Sequence, residues 1–573
     1  MPPNPEDQLS LELIPDPSCY NPSGPAMAPY PRTADPQTAK ALGAFYTDAE
    51  IAEFLAAWAI RSKNDRVIDP SFGGGVFLRA AAKRFGAIGG DPKRLVFGVE
   101  IAPKVHGRIV PMLHDEFGIV EDNLIRSDFF DLDRASLPQF DAVIGNPPFI
   151  RYQRFAGKQR HTALRRAREL GVELSQLSSS WAPFVVLSVS LLREGGRLAM
   201  VVPMELTYAT YARPLIGFLQ KSFQRISILS FQKRLFPEIS EDTVLLLCEG
   251  KGLPFERAIH HDLANAGSLR SFDSERGSVI SNRSEGVSYR LALNFLPRKT
   301  RQLYQQFREN LKFKLGHYCN IGIGYVTGSN DFFHLSKSRA EHWKIPGEYL
   351  RPAVFNSRAF NGVSFSHVDL AEAMKSDKAG YLLHLERKPN DSAVNAYLRH
   401  GEQEGVPAAY KCRSRNPWFR VPHVYEPNCF LTYMSGFAPR LIANFAGAVA
   451  SNNLHVLRFK NGHVAATDLS AAWLTSLTQL SAEIEGHALG GGMLKIEPRE
   501  AANVILPLNG KPKLSPTQQK TIDGLVRNGK IEEAQAVVDD IFLVQGLGLS
   551  KSACSDLRSA TRELRNRRMH DFR

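Results

Sequence analysis

The sequence predicts a doubly wound α/β domain followed by a mixed α+β domain. Three observations carry this. Strand-like and helix-like runs alternate over residues 41–250, and the first strand runs into a glycine turn and a helix start. Beyond residue 300 the pattern changes to short strands and many turns, rich in Gly, Asn and aromatic residues. At 573 residues the chain is too long for one ordinary core, so two large domains with appendages are expected.

The elements follow in order. Residues 1–40 are rich in Pro, Ser and Asn and have no period, which predicts a flexible arm or an extended strap. Ile51, Phe54, Leu55 and Trp58 fall at helical spacing. Arg66-Val67-Ile68-Asp69 is the first strand, and residues 76–85 form the helix after the glycine turn. Residues 95–100, 141–145 and 196–202 give further strands, with a helix over 184–192. Residues 226–231 and 243–248 pattern as a closing hairpin, ending a catalytic domain over 41–250. Residues 251–300 are polar and are expected to form a linker or an insertion. A second domain is expected over 301–510 and a helical region over 511–573. No internal repeat is evident.

Hydrophobic residues make up 43% and charged residues 23%, the balance of a globular protein. The net charge of +13 suits a polyanion such as nucleic acid or an anionic membrane surface, and equally a merely basic protein. Six cysteines lie far apart without a CxxC pair, so neither a metal site nor a disulfide framework is expected. With no apolar run of about 18 residues and no basic, apolar leader, the expectation is a cytoplasmic protein that does not span a membrane.

In an open α/β sheet, ligands bind beyond the carboxyl ends of the strands. Here the first strand ends in Asp69-Pro70-Ser71-Phe72-Gly73-Gly74-Gly75. Glycines at such a turn let the backbone approach a ligand closely. A phosphate loop or a purely structural turn would also fit the glycines. However, GxxxxGK[ST] is absent, and Asp69 would repel a pyrophosphate while suiting a sulfonium amino acid. Those features favour S-adenosyl-L-methionine. Glu100 ends the second strand, followed by Ile101, and is placed to accept from two ribose hydroxyls. Arg126-Ser127-Asp128-Phe129-Phe130 adds an acid for an adenine amino group, and Phe129, Phe130 or Phe184 can sandwich the ring.

The most specific feature is a strand running into Asn146-Pro147-Pro148-Phe149. Two prolines cannot continue a sheet and fix a rigid, extended bend. That bend offers the Asn146 amide oxygen and the Pro147 carbonyl as paired acceptors, with Phe149 as a flat apolar face. An amino group conjugated to a ring is a poor nucleophile because its lone pair is delocalised. Two acceptors gripping its N–H bonds favour a tetrahedral nitrogen and aim the lone pair at a donor.

These residues resemble amino-methyltransferases. Asn146-Pro147-Pro148-Phe149 looks like their motif IV, residues 69–78 motif I, Glu100 motif II, Asp128 motif III, and Gly43-Ala44-Phe45-Tyr46-Thr47 motif X. The motif order, with a C-terminal recognition region, is similar to the gamma class of adenine-N6 DNA methyltransferases of restriction–modification systems, the TaqI type. The resemblance covers residues 40–250 most closely. It implies a Rossmann-like S-adenosylmethionine-dependent methyltransferase domain and a target recognition domain acting on double-stranded DNA by base flipping. A separate cognate restriction endonuclease is a further possible partner. By the resemblance, Thr47 and Asp69 lie near the methionine part of the cofactor, Glu100 holds the ribose, Asp128 the adenine N6, and Phe184 stacks on that adenine. Leu235-Phe236-Pro237 resembles motif VIII, which would put Phe236 on the second face of the flipped base. The family often has Tyr where this chain has Phe149, and stacking does not need the hydroxyl.

Reaching a stacked, paired adenine requires flipping its nucleotide into a pocket. Arg151, Arg154 and Lys158 follow the catalytic turn, with Arg160, Arg165, Arg166 and Arg168 beyond, and can clamp flanking phosphates or form a solvated helix face. Four later segments are candidates for the recognition region: residues 322–331, 411–418, 452–455 and 490–498. The last helix carries Arg558, Arg562, Arg565, Arg567 and Arg568, either a backbone-contacting tail or a solvated face. The rival readings are a protein glutamine or RNA amino-methyltransferase, and a catalytically silent DNA-binding specificity module. Glutamine methyltransferases are short, and intact Asn146, Asp69 and Glu100 argue against silence. N4-cytosine enzymes usually begin the motif with Ser, and no Pro-Cys nucleophile supports C5-cytosine chemistry. No paired-carboxylate-plus-lysine cluster indicates a fused nuclease.

Overall fold

The structure is a computed structural model that describes residues 47–207, 209–233, 235, 242–282, 291–460, 464–489, 492–508 and 513–569. The chain divides into two compact units, one up to Asn294 and one from Phe295. No helix among the described residues is long and apolar enough to cross a membrane.

The first unit opens on helix α1 (Ala49–Ala59), whose N-cap Asp48 accepts from the Glu50 amide at 2.8 Å. Strand β1 (Val67–Asp69) leads through the glycine turn into α2 (Val76–Ala87). Then come β2 (Val96–Glu100), α3 (Pro103–Phe117), β3 (Leu124–Arg126) and β4 (Phe140–Gly145). Next follow α4 (Gly157–Glu169), α5 (Trp181–Leu191), β5 (Leu192–Pro203) and α6 (Arg213–Ser222). Strands β6 (Phe223–Phe231) and β7 (Thr243–Lys251) form the expected antiparallel hairpin.

The sheet order is β3-β2-β1-β4-β5-β7-β6 with two further strands. Val67 of β1 pairs with Val96 of β2 on one side and Ala142 of β4 on the other, both parallel. Every residue of β1 and β4 is buried, as central parallel strands covered on both faces must be. The chain winds outward in opposite directions from β1 and β4. The crevice beyond their carboxyl ends is therefore the topological switch point, the ligand-binding position of an open α/β sheet.

The stretch expected as a linker or insertion instead extends this sheet. Strand β8 (Arg257–Leu263) runs parallel to β6 from Arg225↔Arg257 to Phe231↔Leu263, and β9 (Ser278–Asn282) pairs antiparallel to β8. Its polar composition disguised it, because polar side chains here are buried and take hydrogen-bond partners on neighbouring segments. His260 is 3% exposed and its Nε2 lies 2.8 Å from Ser230 Oγ, while His261 Nδ1 lies 2.8 Å from the Arg276 carbonyl.

The second unit is mixed α and β. A five-stranded sheet is built on Leu454–Phe459 and Cys429–Thr432, beside a four-stranded sheet and a three-stranded ribbon containing Met493–Lys495. Helix α7 (Ser476–Glu485) is buried along its whole length, and α8 (Lys551–Met569) packs on it. Most arginines of α8 are held in ion pairs with the protein itself, while Arg562 stays on a solvated face. Arg558 pairs with Asp539, Arg562 with Glu532, Arg567 with Glu563, and both Arg565 and Arg568 with the buried Glu483 of α7. Arg568 also donates to the carbonyls of Gly436, Phe437 and Gly492.

The candidate recognition segments pack in pairs. Arg415 donates to the carbonyls of Val326 and Thr327, and His455, fully buried, bonds to the Ile496 carbonyl at 2.6 Å. These residues support loops. Tyr410, by contrast, is 70% exposed with Lys411 and Arg413 over its ring.

Candidate active site

Asp69 ends β1 and is 1% exposed, with the buried Pro70 after it. One carboxylate oxygen, Oδ1, accepts from the Ser71 amide at 2.9 Å, forming a local turn. The other, Oδ2, is buried without a hydrogen-bond partner among the described residues. Burial pushes the Asp69 carboxyl up to about 8; the Ser71 amide opposes the shift and the Glu100 charge adds to it. The glycine turn then swings into α2 through Gly75, whose φ of 77° is left-handed. A Cβ there would also meet Ile109 at 2.9 Å.

Glu100 ends β2 and braces this turn. Its Oε2 accepts from the Gly73 amide at 3.0 Å and its Oε1 from the Ala102 amide at 2.7 Å. A carboxylate has about four acceptor sites, so lone pairs remain for other donors. Ile101 beside it is 51% exposed, an apolar surface at the rim.

Strand β4 delivers the Asn-Pro-Pro-Phe turn to the same place. Gly145, the last residue of the strand, has φ 151°, and a Cβ on it would stand 2.7 Å from Asp69 Oδ1. The two strand ends thus approach as closely as a residue without a side chain allows. The Ser71 hydroxyl donates to the Asn146 carbonyl at 3.4 Å, and the Asn146 amide nitrogen donates to Thr47 Oγ1 at 3.2 Å. Asn146 Oδ1 is buried with no partner among the described residues. Pro147 is buried, Pro148 half-buried, and Phe149 7% exposed.

Sequence reasoning missed what holds this turn from the far side. Ser180, next to α5, donates its hydroxyl to the Pro148 carbonyl and accepts from the Ile150 amide at 2.9 Å. Its own amide donates to the Ile150 carbonyl at 3.0 Å. Three bonds from one residue fix the turn. A serine before an apolar helix carries no sequence signal beyond an ordinary helix start.

Asp128 follows β3 and is half-buried. Its Oδ1 accepts from the Phe130 amide at 2.9 Å and its Oδ2 from Gln159 Nε2 at 3.0 Å. The aromatic sandwich expected here is not formed by these rings. Phe129 and Phe184 stack directly on each other with centroids 5.0 Å apart, and Phe130 meets Phe184 edge-on at 4.7 Å. No ring fits between them, so they can offer a ligand only an outer face.

Arg151 and Arg154 are exposed in the turn before α4, where Arg154 and Phe155 both donate to the Arg151 carbonyl. Lys158 is exposed on α4 and lies 4.0 Å from Asp131. Along α4 and just beyond it, Gly157, Arg160, His161, Leu164, Arg165, Arg168 and Gln176 line a basic depression of about 410 Å³. Phe236, and residues 43–46 before Thr47, lie outside the described residues.

The residues at the switch point fit S-adenosylmethionine. Two buried oxygens without partners among the described residues, Asp69 Oδ2 and Asn146 Oδ1, suit a cationic ligand and an N–H donor, and a buried orphan acceptor is costly unless something binds it. The doubly wound sheet is that of an S-adenosylmethionine-dependent methyltransferase domain, and the strand-end acids stand at its switch point.

Comparison with known proteins narrows this. The profile of the family described as N-6 DNA Methylase matches residues 32–244, and that of the Type II methyltransferase M.Eco57I, C-terminal domain, matches residues 290–543. The chain carries an N-6 DNA methylase domain and a Type II methyltransferase C-terminal domain, which make it an adenine-specific DNA methyltransferase. The type II methyltransferase M.AccI of Acinetobacter calcoaceticus is 22% identical over 484 residues, covering 82% of this chain and 86% of that protein. M.XamI of Xanthomonas campestris pv. amaranthicola is 21% identical over 478 residues, covering 81% and 85%. M.TthHB8I of Thermus thermophilus is 32% identical over 171 residues, covering 29% and 35%. Among solved structures, the fold is shared with the Type IIL restriction-modification enzyme MmeI in complex with DNA. That match has a TM-score of 0.55 at 12% identity and covers 93% of this chain and 80% of that one.

Proposed function

We propose that this adenine-N6 DNA methyltransferase acts on a nucleotide flipped out of double-stranded DNA, with Asn146 at the reaction centre. The observation that carries the proposal is the buried Asn146 Oδ1, which has no partner among the described residues and is held beside the Asp69 turn by Ser71 and Thr47. S-adenosylmethionine supplies a methyl group already activated on a sulfonium, so the protein's task is positioning and electrostatics.

Asp69 Oδ2 takes the cationic amino-acid end, with Thr47, Pro70, Gly73 and Gly75 around it. Glu100 and Ile101 flank the ribose, and Asp128 accepts from the adenine amine with Phe129 and Phe184 as an apolar surface nearby. Asn146 Oδ1 and the Pro147 carbonyl accept from the two N–H bonds of the target amine, which favours a tetrahedral nitrogen. The carbonyls on either side are occupied, since those of Asn146 and Pro148 accept from the hydroxyls of Ser71 and Ser180. Pro148 makes the bend rigid, and Phe149 and Phe236 pack the flipped base. Arg151, Arg154 and Lys158 neutralise flanking phosphates. A separate cognate endonuclease sharing the recognition site completes the reading, which the type II relatives support.

The test is Asn146→Ala in the full chain. Methyl transfer to DNA should fall by about a hundredfold to a thousandfold, as when a principal electrostatic group is removed, while cofactor affinity by calorimetry stays within about threefold. Turnover at the unaltered rate would remove Asn146 from the reaction. A 2-aminopurine probe at the target position reports flipping independently.

A further inference from the structure

We propose that Gln159 is a positioning residue that sets the cofactor pocket's preference for adenine, by fixing the Asp128 carboxylate as an oriented acceptor. The inference rests on the reading of Asp128 as the acceptor for the cofactor's adenine amine.

The geometry supports a fixed rather than a loose acid. A solvated carboxylate turns about its Cβ–Cγ bond and presents its oxygens in many directions. Asp128 is held at both ends, Oδ1 by the Phe130 amide at 2.9 Å and Oδ2 by Gln159 Nε2 at 3.0 Å. Each oxygen keeps a lone pair for a second donor.

Gln159 is itself half-buried and sits on a helix tied to the 128–131 turn at other points. Arg166 Nη1 donates to the Phe130 carbonyl at 2.7 Å, Lys158 lies 4.0 Å from Asp131, and Phe155, just before the helix, packs against Phe130 at 5.9 Å. The carboxamide therefore arrives at Asp128 from a fixed base.

An acceptor locked in place discriminates between donors and acceptors on a ligand. A purine amine at position 6 offers an N–H and is satisfied. A carbonyl at that position sets acceptor against acceptor and strands a partly buried carboxylate, the kind of mismatch that makes polar recognition selective. If Gln159 is removed, Asp128 can rotate away from a mismatched carbonyl, and the selectivity relaxes. A merely structural role for Gln159 would weaken binding of both ligands alike.

The experiment is calorimetric titration of the full chain with S-adenosylhomocysteine and with S-inosylhomocysteine, its deaminated counterpart. The variants are Gln159→Ala, Gln159→Met (which keeps the length and packing) and Asp128→Asn. The intact chain should bind the adenine compound more tightly. Gln159→Ala and Gln159→Met should each weaken it by about fivefold to tenfold, the worth of one oriented hydrogen bond, and change the inosine compound by less than about twofold. Asp128→Asn should narrow the ratio at least as far. An unchanged ratio in both Gln159 variants with a narrowed one in Asp128→Asn overturns the role of Gln159 alone. An unchanged ratio in all three overturns the reading of Asp128 as well.

Discussion

The carboxamide nitrogen of Asn146 donates to the hydroxyl of Thr47 across 3.2 Å. This bond decides which way the amide faces. With its nitrogen engaged on Thr47, Asn146 turns Oδ1 to the other side, where it has no partner among the described residues. A residue before the first helix thus orients a residue after the fourth strand.

Thr47→Val removes the acceptor and keeps the shape. The amide then loses about 1 kcal/mol of orientation, and single-turnover methylation should slow by about fivefold. Thr47→Ser should restore most of the rate. Quenched-flow measurement at saturating DNA and cofactor checks both.

The raised Asp69 carboxyl makes a pH prediction with a definite sign. Burial, which is the largest cause, carries it from 3.8 to about 8, so between these values the folded protein holds a proton that the unfolded chain lacks. Stability therefore falls as pH rises through that window. Asp69→Asn should raise the melting temperature relative to the parent at about pH 9, with the gap closing as pH falls toward 4. A cationic ligand on Asp69 must also expel this proton. Cofactor affinity should weaken by up to about tenfold for each unit below pH 8, and the heat of binding near pH 7 should vary with buffer ionisation enthalpy.

Gly145→Ala should destabilise the first unit by about 1–3 kcal/mol, since its Cβ would lie 2.7 Å from Asp69 Oδ1 and neither strand end can retreat from the packed sheet. Urea unfolding checks this, with a matching loss of cofactor affinity expected as Asp69 is displaced.

Arg568→Met should cost about 3 kcal/mol in urea unfolding of the second unit, because the Glu483 side chain is 2% exposed and among the described residues would keep only Arg565 as a cationic partner. The same change releases the carbonyls of Gly436, Phe437 and Gly492, so hydrogen exchange should quicken at those loops.

Sequence made the strand-end chemistry legible because it is local. Asp69, Glu100 and Asn146 each close a short apolar run, and a turn residue at the end of a strand has few other places to go. The same locality explains what stayed hidden. Gln159 meets Asp128, and Ser180 meets Pro148, across tens of residues and through ordinary surface-like side chains, with no spacing to give them away. Strands β8 and β9 were hidden because their buried histidines and flanking arginines make a polar run. The aromatic group misled in the opposite way. The sequence put Phe129, Phe130 and Phe184 forward as a sandwich, but not that Phe129 and Phe184 would fill each other's faces.

The near-contact of Gly145 with Asp69 has a consequence for anyone redesigning this enzyme. The proposed donor pocket and acceptor elbow meet through a gap that one methyl group would close, so under that proposal they cannot be tuned as separate modules. A library that varies the Asn-Pro-Pro-Phe tetrapeptide while holding Gly145 and Asp69 constant explores chemistry. One that shifts either strand by a single residue breaks the hinge pin on which both halves are hung.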